Sequence, residues 1–170
     1  VEIGRSSEGT GYESGVMERM FDFWYANHKH TRFYPKSRFP IYRDAAADTQ
    51  VEILEEGALR FLENRPPDRP FFVQINFNVP HSGGTTDMER RASDPEIYDT
   101  LYRDRMDELS PPPNYVEAAG VTEPKIPTEV FSGEYISSYD YAKTRADLIE
   151  HKVKEAQTIH GVDLMLGAVR

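Results

Sequence analysis

Apolar residues recur with helical spacing in two parts of the chain and run together in a third. In residues 49–64, Val51, Leu54, Ala58 and Phe61 recur every three or four positions, with Glu52, Glu55, Glu56 and Glu63 between them. That spacing predicts an amphipathic helix with one buried face and one solvated acidic face. Thr49 and Glu52 form a capping box at its start, and Pro66 and Pro67 close it. A turn at Asp68-Arg69 then leads through Pro70 into residues 71–77, FFVQINF, which are mostly aromatic or β-branched. The run lacks the clean alternation of a surface strand, so it predicts a buried strand of an α/β sheet. Helix, tight turn and strand make half of an α/β unit.

The second helical pattern fills residues 140–170. Ala142, Ala146, Ile149, Val153, Ala156, Ile159, Val162, Leu166 and Val169 step by three and four. Gly161 and Gly167 each weaken such a helix by about 1 kcal/mol relative to alanine, which implies close packing. Helical phase places Asp163 beside this stripe, where burial would demand a hydrogen-bond partner. Elsewhere the pattern is weaker. Residues 1–20 are rich in Gly and Ser and read as a loop. Residues 20–25, MFDFWY, form an aromatic cluster whose default role is packing. Residues 32–44, with two prolines among aromatics and cations, read as an irregular packed connector. Residues 82–139 are irregular, with short helices expected around 96–105 and an extended, polyproline-like stretch at 110–115. They are too long for a simple connection and read as a substrate-side insertion or a wrap over the surface.

Composition narrows the classes of function. The 170 residues fit one domain or one piece of a larger one. A net charge of −9 argues against nucleic acid or an anionic membrane as a general partner. The chain has no cysteine, which removes disulfides, thiolate metal sites and a cysteine nucleophile. No apolar run reaches the roughly 20 residues that span a bilayer. The first residue is Val1 rather than Met, which implies a processed or excised start.

Candidate chemistry gathers where the apolar run ends, in Asn78-Val79-Pro80-His81-Ser82-Gly83-Gly84. In open α/β sheets, loops beyond the carboxyl ends of strands bind ligands. Pro80 restricts the backbone before His81, and the two glycines let the chain turn away and leave room for a substrate. His81 is therefore the candidate catalytic and substrate-binding residue. His28 and His30, two positions apart, would share a strand face as a metal pair needs. With no third ligand near them, no metal is assigned to this chain.

The order of these blocks resembles the middle of a sulfatase. An FDFWY segment is followed by a connector containing YP, then by the helix TQVEILEEGALRFLEN. The stretch RPFFVQINFNVPH, a PPPNY segment and a helix ending in VDLMLG complete the order. The resemblance covers roughly residues 21–169. It implies part of an alkaline-phosphatase-like α/β fold, a mostly parallel sheet flanked by helices, incomplete as given. It also implies hydrolysis of sulfate esters of small molecules or glycans. The family's nucleophile is a formylglycine made in a C/S-x-P-S-R motif, and a divalent cation, usually Ca2+, is held by aspartates and a later Asp-Asn-Gly segment. None of these is in the chain. Pro35-Lys36-Ser37-Arg38 differs from the nucleophile motif in the lysine between proline and serine, and Glu2 falls where the family carries a histidine. Formylglycine and Ca2+ would thus belong to the complete enzyme, and the chain alone is expected to be inactive. The histidine of the Pro80-His81 pair coincides with the family's sulfate-contacting histidine. A periplasmic or extracellular location is implied by the same resemblance.

Two other readings stand beside this one. One is a phosphodiesterase or phosphomutase of the same superfamily, with Thr or Ser as nucleophile. The other is a non-catalytic binding or interaction module derived from the fold. One strand between two helices also leaves edges and apolar faces uncovered, so self-association is expected.

Overall fold

The computed structural model describes residues 18–27, 33–80, 91–117, 119 and 143–170. Their regular elements are the helices α1 (Gln50–Asn64), α2 (Ile97–Thr100) and α3 (Arg145–Val169), joined by 3-10 turns at Glu18–Met20, Pro40–Tyr42 and Arg103–Glu108. The chain divides into two compact units. The first comprises Val1–Asn78 with Met165–Arg170, and the second Val79–Leu164.

In the first unit, α1 occupies the span its pattern predicts, and Val51 and Ala58 of the expected stripe are buried, but the inward face is shifted from the rest of that stripe. Its buried residues are Gln50, Val51, Ile53, Gly57 and Ala58, while Leu54 and Phe61 are only half-buried. Two features rotate the face. Gly57 lies against the Tyr25 ring so closely that an added side-chain carbon would overlap Cδ1. Gln50 is buried because both of its ends are used. Its N–H donates to the Phe33 carbonyl at 2.9 Å, and its side-chain Oε1 accepts the Asn78 N–H at 2.8 Å. A buried polar group with good partners costs little, and one without them costs much. The capping box takes an altered form, since the Thr49 hydroxyl donates to the Glu52 carboxylate and makes no side-chain cap to the backbone.

Around Ile53 pack Phe39, Tyr42 and Ala45, with Tyr25 and Ala47 at the margin. The described part of the connector expected at 32–44, residues 33–44, is irregular apart from the 3-10 turn Pro40–Tyr42, and buries Phe33, Tyr34, Phe39 and Tyr42. Lys36 ties it together, donating to the Ala45 carbonyl at 2.6 Å and lying 3.5 Å from Asp48. The aromatic cluster of residues 20–25 packs onto α1. Phe23 meets Phe61 at 5.7 Å between ring centroids, Tyr25 meets Tyr42 edge-on at 5.2 Å, and Arg60 covers Tyr25 at 4.9 Å.

The predicted sheet is absent among the described residues. Among the described residues there is no β-strand, so the alkaline-phosphatase-like α/β architecture and its parallel sheet do not hold for this structure. Residues 71–77 carry no regular secondary structure and form no ladder among the described residues. Strand character needs a neighbouring backbone to accept and donate hydrogen bonds, and composition alone cannot supply one. The run leans instead on α1 at one end, where Phe71 meets Phe61 at 5.8 Å and lies under the Arg65 guanidinium at 4.4 Å. Phe71 is 49% and Phe72 76% exposed, whereas a buried strand would hide both.

In the second unit, α3 starts at Arg145 behind a reciprocal cap. The Asp147 N–H donates to the Thr144 hydroxyl oxygen at 3.1 Å, and the Thr144 N–H donates to the Asp147 carboxylate at 3.0 Å. Its inward residues here are Ile149, Val153, Gln157, Thr158 and Gly161. Ile159 and Leu166, expected on the buried stripe, are each 54% exposed, and Asp163 is exposed and needs no buried partner. Gln157 takes an inward position because its amide donates to the Leu101 carbonyl at 2.8 Å. At Gly161 the missing side chain admits the Tyr98 hydroxyl, the close packing expected there, whereas exposed Gly167 has nothing packed against it and the expectation fails. Arg103 grips Glu150 through both guanidinium nitrogens, one at 2.8 Å. That bond raises the Arg103 pKa and lowers the Glu150 pKa. The expected short helices near 96–105 are α2 and the turn Arg103–Glu108, with Tyr102 between them in the left-handed region at φ 63°. The proline stretch does not stay extended, because the Tyr115 N–H closes a turn onto the Pro112 carbonyl at 2.9 Å.

Candidate functional site

His81, the sequence-predicted catalytic and substrate-binding residue, lies outside the described residues, as do His28 and His30. What is described is the chain that leads to His81. Residues 71–78 lie outside any regular element, and the bond from the Asn78 N–H to buried Gln50 fixes the end of that run to α1. Val79 is buried, and the Val79–Pro80 peptide is cis. The backbone three residues before His81 is therefore anchored by a specific hydrogen bond. Gln50 was not among the residues singled out from sequence. Its signal was a polar residue at a core phase of a strongly patterned helix.

The same segment borders a cleft of about 470 Å³ within the first unit. Aromatic faces of Phe23, Trp24, Tyr25 and Phe61 line it, with the amides of Asn27 and Asn76. No lining residue is charged, although 29% of the chain is Asp, Glu, Lys or Arg. A surface sampled at random from this chain would carry several charges, so the cleft has the composition of an interior. It offers stacking surfaces and amide hydrogen bonds, but no acid, base or cation. It cannot by itself neutralise a sulfate.

Tyr42 is the most perturbed group in the cleft wall. It is 3% exposed; its hydroxyl donates to Asn27 Oδ1 at 2.8 Å and accepts the Asn27 N–H at 3.1 Å. Burial pushes its pKa up to about 12, while the Asn27 N–H pulls weakly the other way. The folded state then holds a proton that the unfolded state, with a pKa of 10.0, has released. Tyr42 therefore contributes its full stability below about pH 10 and loses it as pH rises towards 12. At 1.36 kcal/mol per unit over about two units, the loss is roughly 3 kcal/mol. Urea midpoints measured across that window should fall more steeply for the native sequence than for Tyr42→Phe. Equal slopes would contradict the assignment.

Among the described residues, no group of three or more His, Cys, Asp or Glu could hold a metal ion, so they do not fit the calcium of the resemblance and no step is routed through it. No helix among them is long and apolar enough to cross a membrane. Compared with known proteins, the chain matches no family model, and no curated protein or solved structure is similar to it.

Proposed function

We propose that the chain is part of a sulfuric ester hydrolase and contributes His81 to its sulfate site, with the nucleophile and divalent cation supplied by residues outside this chain. The observation that carries this reading is the stretch PFFVQINFNVPH, in its order between the TQVEILEEGALRFLEN helix and the VDLMLG helix. The described chain just before His81 is fixed at Asn78, whose N–H donates to Gln50. The reading rests on these residues and not on a sheet.

The chemistry asked of His81 is modest. Sulfate transfer breaks the bond between sulfur and the ester oxygen, and that oxygen leaves as an alcohol once it gains a proton. A neutral imidazole donates a hydrogen bond to a sulfate oxygen, and an imidazolium donates the proton to the leaving oxygen. A reference pKa of about 6.5 makes both forms accessible near neutrality.

The test compares two polypeptides. A longer reading frame with C/S-x-P-S-R upstream and Asp-Asn-Gly downstream should hydrolyse an aryl sulfate, and residues 1–170 alone should not. Turnover by residues 1–170 that survives loss of His81 would contradict the proposal.

A further inference from the structure

We infer that residues 71–77 form a pairing edge whose occupant is the same segment of a second copy of this chain, laid antiparallel. Three observations converge, and none depends on the sulfatase reading. The first is unmet hydrogen bonding. No backbone N–H or C=O of residues 71–77 has a hydrogen-bond partner among the described residues; the segment's own hydrogen bond is between side chains, from the Gln74 amide to Asn76 Oδ1 at 3.2 Å. Seven residues outside any regular element, with free backbone donors and acceptors, make a template for a further strand.

The second observation is how the side chains alternate. Ile75 and Phe77 are half-buried, while Phe72, Gln74 and Asn76 are exposed. Phe71 and Val73, at 49% and 38%, are well below Phe72 at 76%. The odd positions therefore form one apolar face and the even positions the other. An antiparallel pair centred on Gln74 sets Phe71 against Phe77 and Val73 against Ile75. On the other face it sets Phe72 against Asn76 and Gln74 against its own copy. Aromatic and β-branched cross-strand pairs are the favourable ones, and this register keeps each face continuous across both copies.

The third observation is charge, which selects both the occupant and the direction. No Asp, Glu, Lys or Arg occurs from Pro70 to Thr86, while Asp68 and Arg69 stand immediately before it. Natural edges are usually guarded by an inward charge, a proline or a bulge; here none interrupts residues 71–77, a composition prone to self-pairing. Parallel pairing in register would stack Arg69 on Arg69. The antiparallel register places each Arg69 opposite position 79 of the other copy, about 34 Å from its twin at ~3.4 Å per residue. That is several screening lengths at physiological salt.

The test uses the 170-residue chain in sedimentation velocity and hydrogen exchange across about 1–100 µM, the range in which exposed edges associate. A dimer should grow with concentration, and exchange at the amides of residues 71–77 should slow by on the order of tenfold or more as it forms. Gln74→Pro removes the central donor and breaks the ladder, so it should abolish both effects, while Gln74→Thr should keep them. Gln74 is exposed and bonds only to Asn76, so far-UV circular dichroism should be unchanged. If Gln74→Pro loses helicity, the dependence of exchange on concentration in the native sequence carries the test by itself. A monomer throughout the range would overturn the inference. So would a dimer indifferent to Gln74→Pro. Protection at 71–77 that is independent of concentration would also overturn it, by showing that a segment of the same chain covers the edge.

Discussion

Replacing Ile53 with alanine is expected to destabilise the unit that carries α1 by about 3 kcal/mol, within the range of roughly 2–5 kcal/mol for such truncations in a packed core. Ile53 is fully buried and sits among Phe39, Tyr42 and Ala45. Tyr42 cannot collapse freely into the space left behind, because its hydroxyl is held by Asn27 in two hydrogen bonds. Phe39 and Tyr42 brace each other edge-on at 6.3 Å. The cavity therefore persists, and its cost adds to the lost burial. Ile159→Ala provides the contrast. That side chain is 54% exposed, so its loss should change stability by about 0.5 kcal/mol or less. Urea unfolding of both variants by circular dichroism checks the pair; equal losses would mean that the α1 core is not organised around Ile53.

The helices were legible from sequence, and their faces less so. The periodicity of α1 located the element, and Pro66 and Pro67 marked where it stops. The inward face differs from the simple apolar stripe because Gln50 and Gly57 occupy it. One is inward for a hydrogen bond and the other for the space it leaves to Tyr25. A hydrophobicity pattern ranks neither residue as core. In α3 the same thing happens at Gln157 and Gly161, which turn inward for the Leu101 carbonyl and for Tyr98. The sequence pattern placed the start of this helix near residue 140, whereas α3 starts at Arg145 behind the Thr144–Asp147 cap.

The sheet was not legible, for a physical reason. Helical hydrogen bonds are made within the segment, so periodicity and caps speak to the element itself. A strand exists only in its partner's hydrogen bonds. Residues 71–77 have the composition of a strand, and their burial alternates as an extended backbone requires, yet no ladder forms among the described residues. The candidate site divides in the same way. Its anchoring by Gln50 is visible only in three dimensions, because residues 50 and 78 are far apart in sequence. His81 itself was legible only as a residue type at the end of a patterned run.

The functional account stands or falls on His81. A positioned proton donor or hydrogen-bond donor at the reacting sulfate is worth roughly 10²–10⁴-fold in rate, and a histidine that only bonds a loop carbonyl is worth almost nothing. The residue lies in a stretch without Asp, Glu, Lys or Arg, so its removal disturbs no neighbouring ion pair in sequence. The decisive measurement is kcat/KM for an aryl sulfate with the complete polypeptide and its His81→Ala variant, with circular dichroism confirming equal folding. The account predicts a fall of on the order of 10²-fold, the lower range for such a donor. A fall of less than about threefold, below the range of any positioned proton donor, would contradict it.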